Sequence, residues 1–207
     1  MHPRVFEEFE RICRTRGAGG DVLEIGAVPS RESLLFLPAL SGARSRIGVD
    51  LAGDAEFEGV RIVGADANDL CGFGDASFDT VLCNSVLEHD PEFWRTLREI
   101  RRVARPGALV AIGVPGFDRE PPGGLLRGLA RRPLLGGPLR RAMPSLLAST
   151  STLVVHDFPG DYYRFSPQAV REVFLAGLAA PEVVRVLAPP RIVGAGLVPR
   201  PARGIPA

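Results

Sequence analysis

Apolar positions recur along this chain at two periods, and the alternation between them predicts the architecture. Phe6, Phe9, Ile12 and Cys13 fall at helical spacing, which predicts an amphipathic helix over residues 3–16, ended by Gly17 to Gly20. Short apolar runs follow at 21–25, Ser45 to Asp50, about 60–63, Phe78 to Cys83 and Ala108 to Val114. Each has the length of a strand and is bounded by Gly, Asp, Asn or Pro, so each reads as a strand buried on both faces. Between the first two strands, Ser30 is suited to cap a short helix that Pro38 stops. Between the last two, helical spacing returns. Asp90 is suited to cap that helix, with Pro91 in its first turn and Phe93, Trp94, Leu97, Ile100 and Ala104 as its apolar stripe. Arg101, Arg102 and Arg105 complement its carboxyl end, and Gly107 stops it. Strand–helix alternation of this kind predicts an α/β fold: a Rossmann-like, doubly wound, mostly parallel sheet with right-handed crossovers.

The pattern changes after Val114. Residues 115–160 are rich in Pro, Gly and Arg, with short apolar clusters at Leu125-Leu126, Leu134-Leu135 and Leu146-Leu147. They read as a lid and acceptor-binding insertion within one domain spanning residues 1–207. Its Arg119, Arg127, Arg131, Arg132, Arg140 and Arg141 outnumber Asp118 and Glu120, which suits a solvated lid, the favoured reading, or else an anionic acceptor or a membrane surface carrying a lipid-linked one. A helix from Ser166 or Pro167 to Leu178 is expected next. Val183 to Leu187 and Ile192 to Val198 then read as a C-terminal antiparallel hairpin, and residues 199–207 as a frayed tail.

Composition narrows the class. The 207 residues are 45% hydrophobic and 24% charged, ordinary for a soluble globular domain. A net charge of +1 gives no global pull toward nucleic acid or a membrane surface. Cys13, Cys71 and Cys83 form no metal or redox spacing and read as reduced thiols. The first sixteen residues carry Glu7, Glu8 and Glu10 and lack an apolar core, unlike a signal peptide. No apolar stretch approaches the ~20 residues that span a bilayer. A cytoplasmic location is the expectation.

Four strand ends carry polar residues on what the topology makes one edge: Glu24, Asp50, Asp66 and Asn84. Open α/β sheets bind ligands at the carboxyl ends of their strands. A carboxylate after the second strand is placed for both hydroxyls of a ribose, Asp66 and the Ala67 N–H suit an adenine, and the Asn84 carbonyl suits an amine. Gly26 lets backbone come close.

In sequence order, Val22-Leu23-Glu24-Ile25-Gly26, Gly48-Val49-Asp50, Gly64-Ala65-Asp66-Ala67, Ser77-Phe78-Asp79-Thr80-Val81, Ser85-Val86-Leu87-Glu88-His89 and Glu99-Ile100 through Ala108 resemble the class I S-adenosylmethionine-dependent methyltransferases. The resemblance covers residues 20–115. It implies that Glu24 and Gly26 frame the methionine part of S-adenosyl-L-methionine. Asp50, with Leu51, would hold the ribose, Asp66 and Ala67 the adenine, and Asn84 the amino group. His156-Asp157 and the segment from Asp161 to Pro167 are similar to a region of family members that act on sugars, glycans and small metabolites. The implied activity is methyl transfer to a small-molecule or sugar acceptor, with oxygen as the expected nucleophile. His89 and His156 are the candidate bases, and Asp157 is placed to orient His156. Tyr162, Tyr163 and Arg164 would line the acceptor pocket, with Arg164 suited to a carboxylate or phosphate.

Val28 and Pro29 stand where the family carries its later glycines. Val disfavours positive φ and Pro lacks an N–H, so the loop is expected to take another path. The same residues remove the G-x-G-x-x-G turn that an NAD(P)-dependent oxidoreductase needs. A non-catalytic methyltransferase-like subunit is the remaining alternative. Glu88, His89, Asp90, His156 and Asp157 lack the spacing of a metal site, and no base-methylation motif points to nucleic acid.

Overall fold

A computed structural model describes residues 2–119, 150–152, 160–187 and 190–201. Helix α1 (Pro3–Arg16) has the predicted bounds: the His2 side chain accepts the Arg4 N–H, proline opens the first turn, and Gly17 closes it at φ 65°. Its buried face is Val5, Phe9, Ile12 and Cys13.

Among the described residues the main sheet has eight strands, in the order β3 (Ala55–Phe57), β4 (Val60–Gly64), β2 (Ser45–Asp50), β1 (Asp21–Ile25), β5 (Phe78–Asn84), β6 (Ala104–Pro115), β10 (Pro190–Leu197) and β9 (Ala179–Leu187). Its central strands β4, β2, β1, β5 and β6 are all parallel. Helix α2 (Phe93–Val103) joins β5 to β6. The expected hairpin is present as β9 (Ala179–Leu187) and β10 (Pro190–Leu197), with β10 antiparallel to β6. One strand went unread in the sequence: β3 (Ala55–Phe57) is three residues long and half-exposed, too short to show a period. One face of the sheet packs Phe9, Ile12, Leu34, Leu35 and Leu40 against Leu82, Ala111 and Val193. The other packs Leu97, Ile100, Phe165 and Phe174 against Val81, Cys83 and Val110.

Several boundaries differ from the pattern. Between β1 and β2 the chain forms two 3₁₀ turns, Leu34–Phe36 and Pro38–Leu40, instead of a helix capped by Ser30. Ser33 is the cap, and Pro38 opens the second turn rather than ending the first. Helix α2 starts at Phe93, because Asp90 spends its carboxylate on the turn ahead, accepting the Glu92 N–H at 2.8 Å and the Thr96 hydroxyl at 2.7 Å. Thr96 is therefore buried, while Trp94 leaves the stripe and is 48% exposed. Arg105 and Gly107 belong to β6, not to the helix. The late helix is shorter than expected: α3 (Pro167–Ala169) passes into a π turn at Val170–Phe174.

The insertion leaves and re-enters beside the sheet through an antiparallel pair, β7 (Phe117–Arg119) and β8 (Thr150–Thr152). Its leucine clusters and most of its arginines lie outside the described residues. So do His156 and Asp157.

Candidate active site

Strand register assembles the carboxyl edge. Ile25 pairs with Val49 on one side and Cys83 on the other. The next residue on each chain is Gly26, Asp50 and Asn84, so these three stand abreast. Strands lie ~4.8 Å apart, which puts the Asp50 and Asn84 backbones about 10 Å apart across Gly26. Asp50 in turn pairs with Gly64, two residues before Asp66.

Within this edge Glu24 differs in kind from the others. It is 2% exposed and points into the protein. Its Oε1 accepts the Leu34 N–H at 3.0 Å, and its Oε2 accepts the Leu35 N–H at 3.3 Å and the Ser33 hydroxyl. Burial pushes its carboxyl up to about 7, against those three donors, which favour the anion. Glu24 thus holds the 3₁₀ turns in place. Gly26 has φ 80°, and a Cβ there would lie 2.3 Å from Val86 Cγ2. The close approach this glycine permits is by Val86, from the loop after β5. Val28 takes no positive φ, so the departure from the family's glycines is absorbed without backbone strain at that position. Val28 is exposed and Ala27 buried.

Asp50, Asp66 and Asn84 keep capacity for a ligand. Asp50 uses Oδ1 for the Ala52 N–H at 2.8 Å, and its Oδ2 has no hydrogen bond among the described residues. Leu51 beside it is 70% exposed. Asp66, also exposed, turns its Oδ1 to the Asn68 N–H at 2.8 Å, with Ala67 buried next to it. Asn84 donates from Nδ2 to Ser85 Oγ at 3.2 Å, while its buried Oδ1 has no partner. That oxygen is possible only because position 113 is glycine: a Cβ there would sit 2.3 Å from it. Ser85 follows at φ 56°, a strained conformation for a residue with a side chain.

Beyond Ser85 lies a second polar cluster. Glu88 is fully buried, and both of its carboxylate oxygens lack a hydrogen bond. Burial pushes this carboxyl up to about 7, opposed first by its own backbone N–H and then by nearby His89, Arg191 and Arg164. The Glu88 carbonyl accepts the Tyr162 N–H at 2.8 Å, tying residues 160–165 to this loop. His89 bonds the Gly160 carbonyl through Nδ1 and holds Nε2 3.8 Å from Glu88 Oε1. Arg164 donates to both oxygens of Asp161, so its guanidinium ends are engaged within its own segment. Tyr163 packs between Phe93 and Phe165 and donates its hydroxyl to the Pro91 carbonyl at 2.9 Å, whereas Tyr162 is 58% exposed. From β10, Arg191 donates to Ser85 Oγ at 2.7 Å. Burial lowers its guanidinium and leaves its Nε unpartnered.

The structure therefore brings together Gly26, Asp50, Leu51, Asp66, Ala67, Asn84 and His89 at one edge, with Tyr162, Tyr163 and Arg164 beside His89. Glu88, Ser85 and Arg191 were not singled out as binding residues by the sequence. Glu88 carried a signal, a carboxylate within an apolar stretch; Arg191 lies 106 residues from its partner Ser85 and carried none. Among the described residues no three His, Cys, Asp or Glu side chains gather as metal ligands do.

Known proteins resemble this chain in sequence over part of its length and in fold. The family described as "Methyltransferase domain" matches residues 38–112. An uncharacterized methyltransferase of Mycobacterium sp. (strain JLS) is 33% identical over 116 residues, 52% of this chain and 44% of that protein. The chain thus spans less than half the length of this relative. Among solved structures, the 1,6-didemethyltoxoflavin-N1-methyltransferase of Burkholderia thailandensis superposes with TM-score 0.59 at 20% identity, over 96% of this chain and 80% of that one. Its structure holds 1,6-didemethyltoxoflavin and S-adenosylhomocysteine. Phosphoethanolamine N-methyltransferase 2 of Haemonchus contortus, with S-adenosylhomocysteine bound, gives TM-score 0.59 at 15% identity over 94% of this chain and 53% of that one. Residues 38–112 thus match a methyltransferase domain, and the eight-stranded sheet has the fold of these solved methyltransferases.

Proposed function

We propose that this protein is an S-adenosyl-L-methionine-dependent methyltransferase acting on a small-molecule or sugar acceptor. The observation that carries the reading is the aligned edge of Gly26, Asp50 and Asn84, with an open Asp50 Oδ2 and an orphaned, buried Asn84 Oδ1. A nucleoside bearing an amino acid fits this donor set. Asp50 would accept the ribose hydroxyls, Asp66 and the Ala67 N–H would meet the adenine, and Asn84 Oδ1 would accept from the ammonium. Gly26 frames the methionine part. A Glu24 carboxylate acts through the turns it holds. When bound, the cofactor supplies an electrophilic methyl on a sulfonium.

The protein's own part is alignment and deprotonation. Holding the reacting groups in line can supply ~7–11 kcal/mol. A general base contributes a further ~10²–10⁴-fold. His89 stands at the end of the methyl-facing loop and is the base in this reading, with oxygen as the nucleophile. His156, oriented by Asp157, is the alternative base. Tyr162, Tyr163 and Arg164 border the acceptor's entry. Nitrogen is the second reading for the nucleophile, since two proteins of the same fold are named for N-methylation.

Separate calorimetric titrations with S-adenosylmethionine, S-adenosylhomocysteine and NAD test the proposal. Saturable binding of the first two and none of NAD is expected. If neither sulfur compound binds, the reading is wrong.

A further inference from the structure

We infer that Glu88 is the positioning residue for His89: its buried carboxylate faces the imidazole, fixes its orientation and holds the imidazolium that forms when His89 takes a proton.

The argument begins with the imidazole. A backbone carbonyl can only accept, so the contact between His89 Nδ1 and the Gly160 oxygen requires the proton on Nδ1. The neutral ring then has its lone pair on Nε2, the nitrogen that stands 3.8 Å from Glu88 Oε1. Among the described residues Glu88 is a buried carboxylate that no side-chain donor reaches within hydrogen-bond distance; of hydrogen-bond donors, only its own backbone N–H favours its anion. Its two oxygens have no hydrogen bond, although two guanidiniums are near. Both are engaged elsewhere: Arg164 by Asp161, and Arg191 by the Ser85 hydroxyl. Of the other groups facing the cluster, Asp90 is spent on Asn68, Glu92 and Thr96, and the buried Cys83 thiol is pushed up by burial and stays neutral. A carboxylate left unpaired inside a protein costs more than a paired one, and its unmet demand is for a donor. Protonated Nε2 is that donor. A 3.8 Å contact is long for a hydrogen bond and shortens once the ring carries charge.

The catalytic consequence rests on the methyltransferase reading. As the acceptor's bond to methyl forms, the carbon–sulfur pair stays on sulfur and the acceptor's proton passes to Nε2. The positive charge that leaves sulfur reappears on the imidazolium, beside Glu88. The proton then returns to solvent.

The pairing itself can be tested without an acceptor. Uniform ¹⁵N labelling of the three histidines, with His89→Asn to identify the signals, gives the tautomer and titration midpoint of His89. The neutral ring should show Nδ1–H. Glu88→Gln should lower the midpoint by about one pH unit, a tenfold loss of proton affinity. Glu88→Asp, which withdraws the charge by one methylene, should lower it less and serves alone if Glu88→Gln does not fold. A midpoint unmoved by the folded variant, or an Nε2–H tautomer, overturns the inference. Calorimetry with S-adenosylmethionine keeps the two ideas apart: a chain that binds none yet shows the shift retains the pair and loses the methyltransferase reading.

Discussion

The two edges of this sheet handle charge in opposite ways. At the amino edge, Asp21 and Asp79 meet Arg44 and Arg105 in a closed set: each arginine contacts both aspartates, and Asp79 also accepts the Asp21 N–H at 2.8 Å. At the carboxyl edge, Asn84 Oδ1, both oxygens of Glu88 and the Nε of Arg191 are buried without a hydrogen-bond partner. Native proteins satisfy nearly all buried polar groups, so a concentration of exceptions needs a cause. Here the paired edge joins neighbouring strands, and the unpaired edge is where the proposed cofactor would arrive. Glu24 marks the border. It sits at that carboxyl edge, yet its three donors make it a structural group.

The sharpest way to break this contrast is Asp50→Ala. The loss of two charge-assisted bonds to a ribose, at ~1.5–3 kcal/mol each, should weaken S-adenosylmethionine binding by over about a hundredfold in calorimetry. The melting temperature should scarcely move, since the only bond the Asp50 side chain makes among the described residues is to its own turn. Comparable loss of fold and binding would erase the distinction.

Glu24→Gln should do the reverse. One amide hydrogen must face the Leu34 N–H, or else the Leu35 N–H and Ser33 hydroxyl, which costs ~1–3 kcal/mol in denaturant unfolding. Binding should suffer only through the displaced turns.

The pH dependence of stability separates the edges again. Hydrogen bonds from Arg44 hold Asp21 below the usual carboxylate range, and the Asp21 N–H does the same for Asp79. Their contribution is present above that range and is lost as pH falls through it. Burial pushes Glu24 and Glu88 the other way, to about 7. Their folded forms bind the proton more tightly than the unfolded chain, so their contribution is present below about 4.5 and is lost as pH rises to about 7. Stability measured across pH 4.5–7 should therefore decline, and Glu24→Gln should flatten that decline.

The smallest effect belongs to Arg44→Ala. Its side chain is 63% exposed, and solvent-exposed ion pairs contribute little to stability. Unfolding should shift only slightly, with S-adenosylmethionine affinity unchanged.

Much of the sheet was legible because parallel strands buried on both faces leave continuous apolar runs. The polar residue ending each run marked Asp50, Asp66 and Asn84 for the same reason: the strand's apolar pattern stops where the edge begins. The 3₁₀ turns were not legible, because the Glu24 carboxylate nine to eleven residues upstream organises them. Trp94 was misread as core because a helical stripe leaves its borders undefined, and the Asp90–Thr96 bond decided which side turned inward.

By itself, then, the sequence determined the strand runs, their parallel connection, the family motifs and the polar residues at the edge, all of which follow from local pattern and order. Only the tertiary structure decided that Glu24 serves the turns, that Val86 fills the space above Gly26, and that His89, Ser85 and Arg191 gather around the buried Glu88. Those outcomes depend on which distant groups fold into reach and which donors are already taken, and neither is encoded in spacing along the chain.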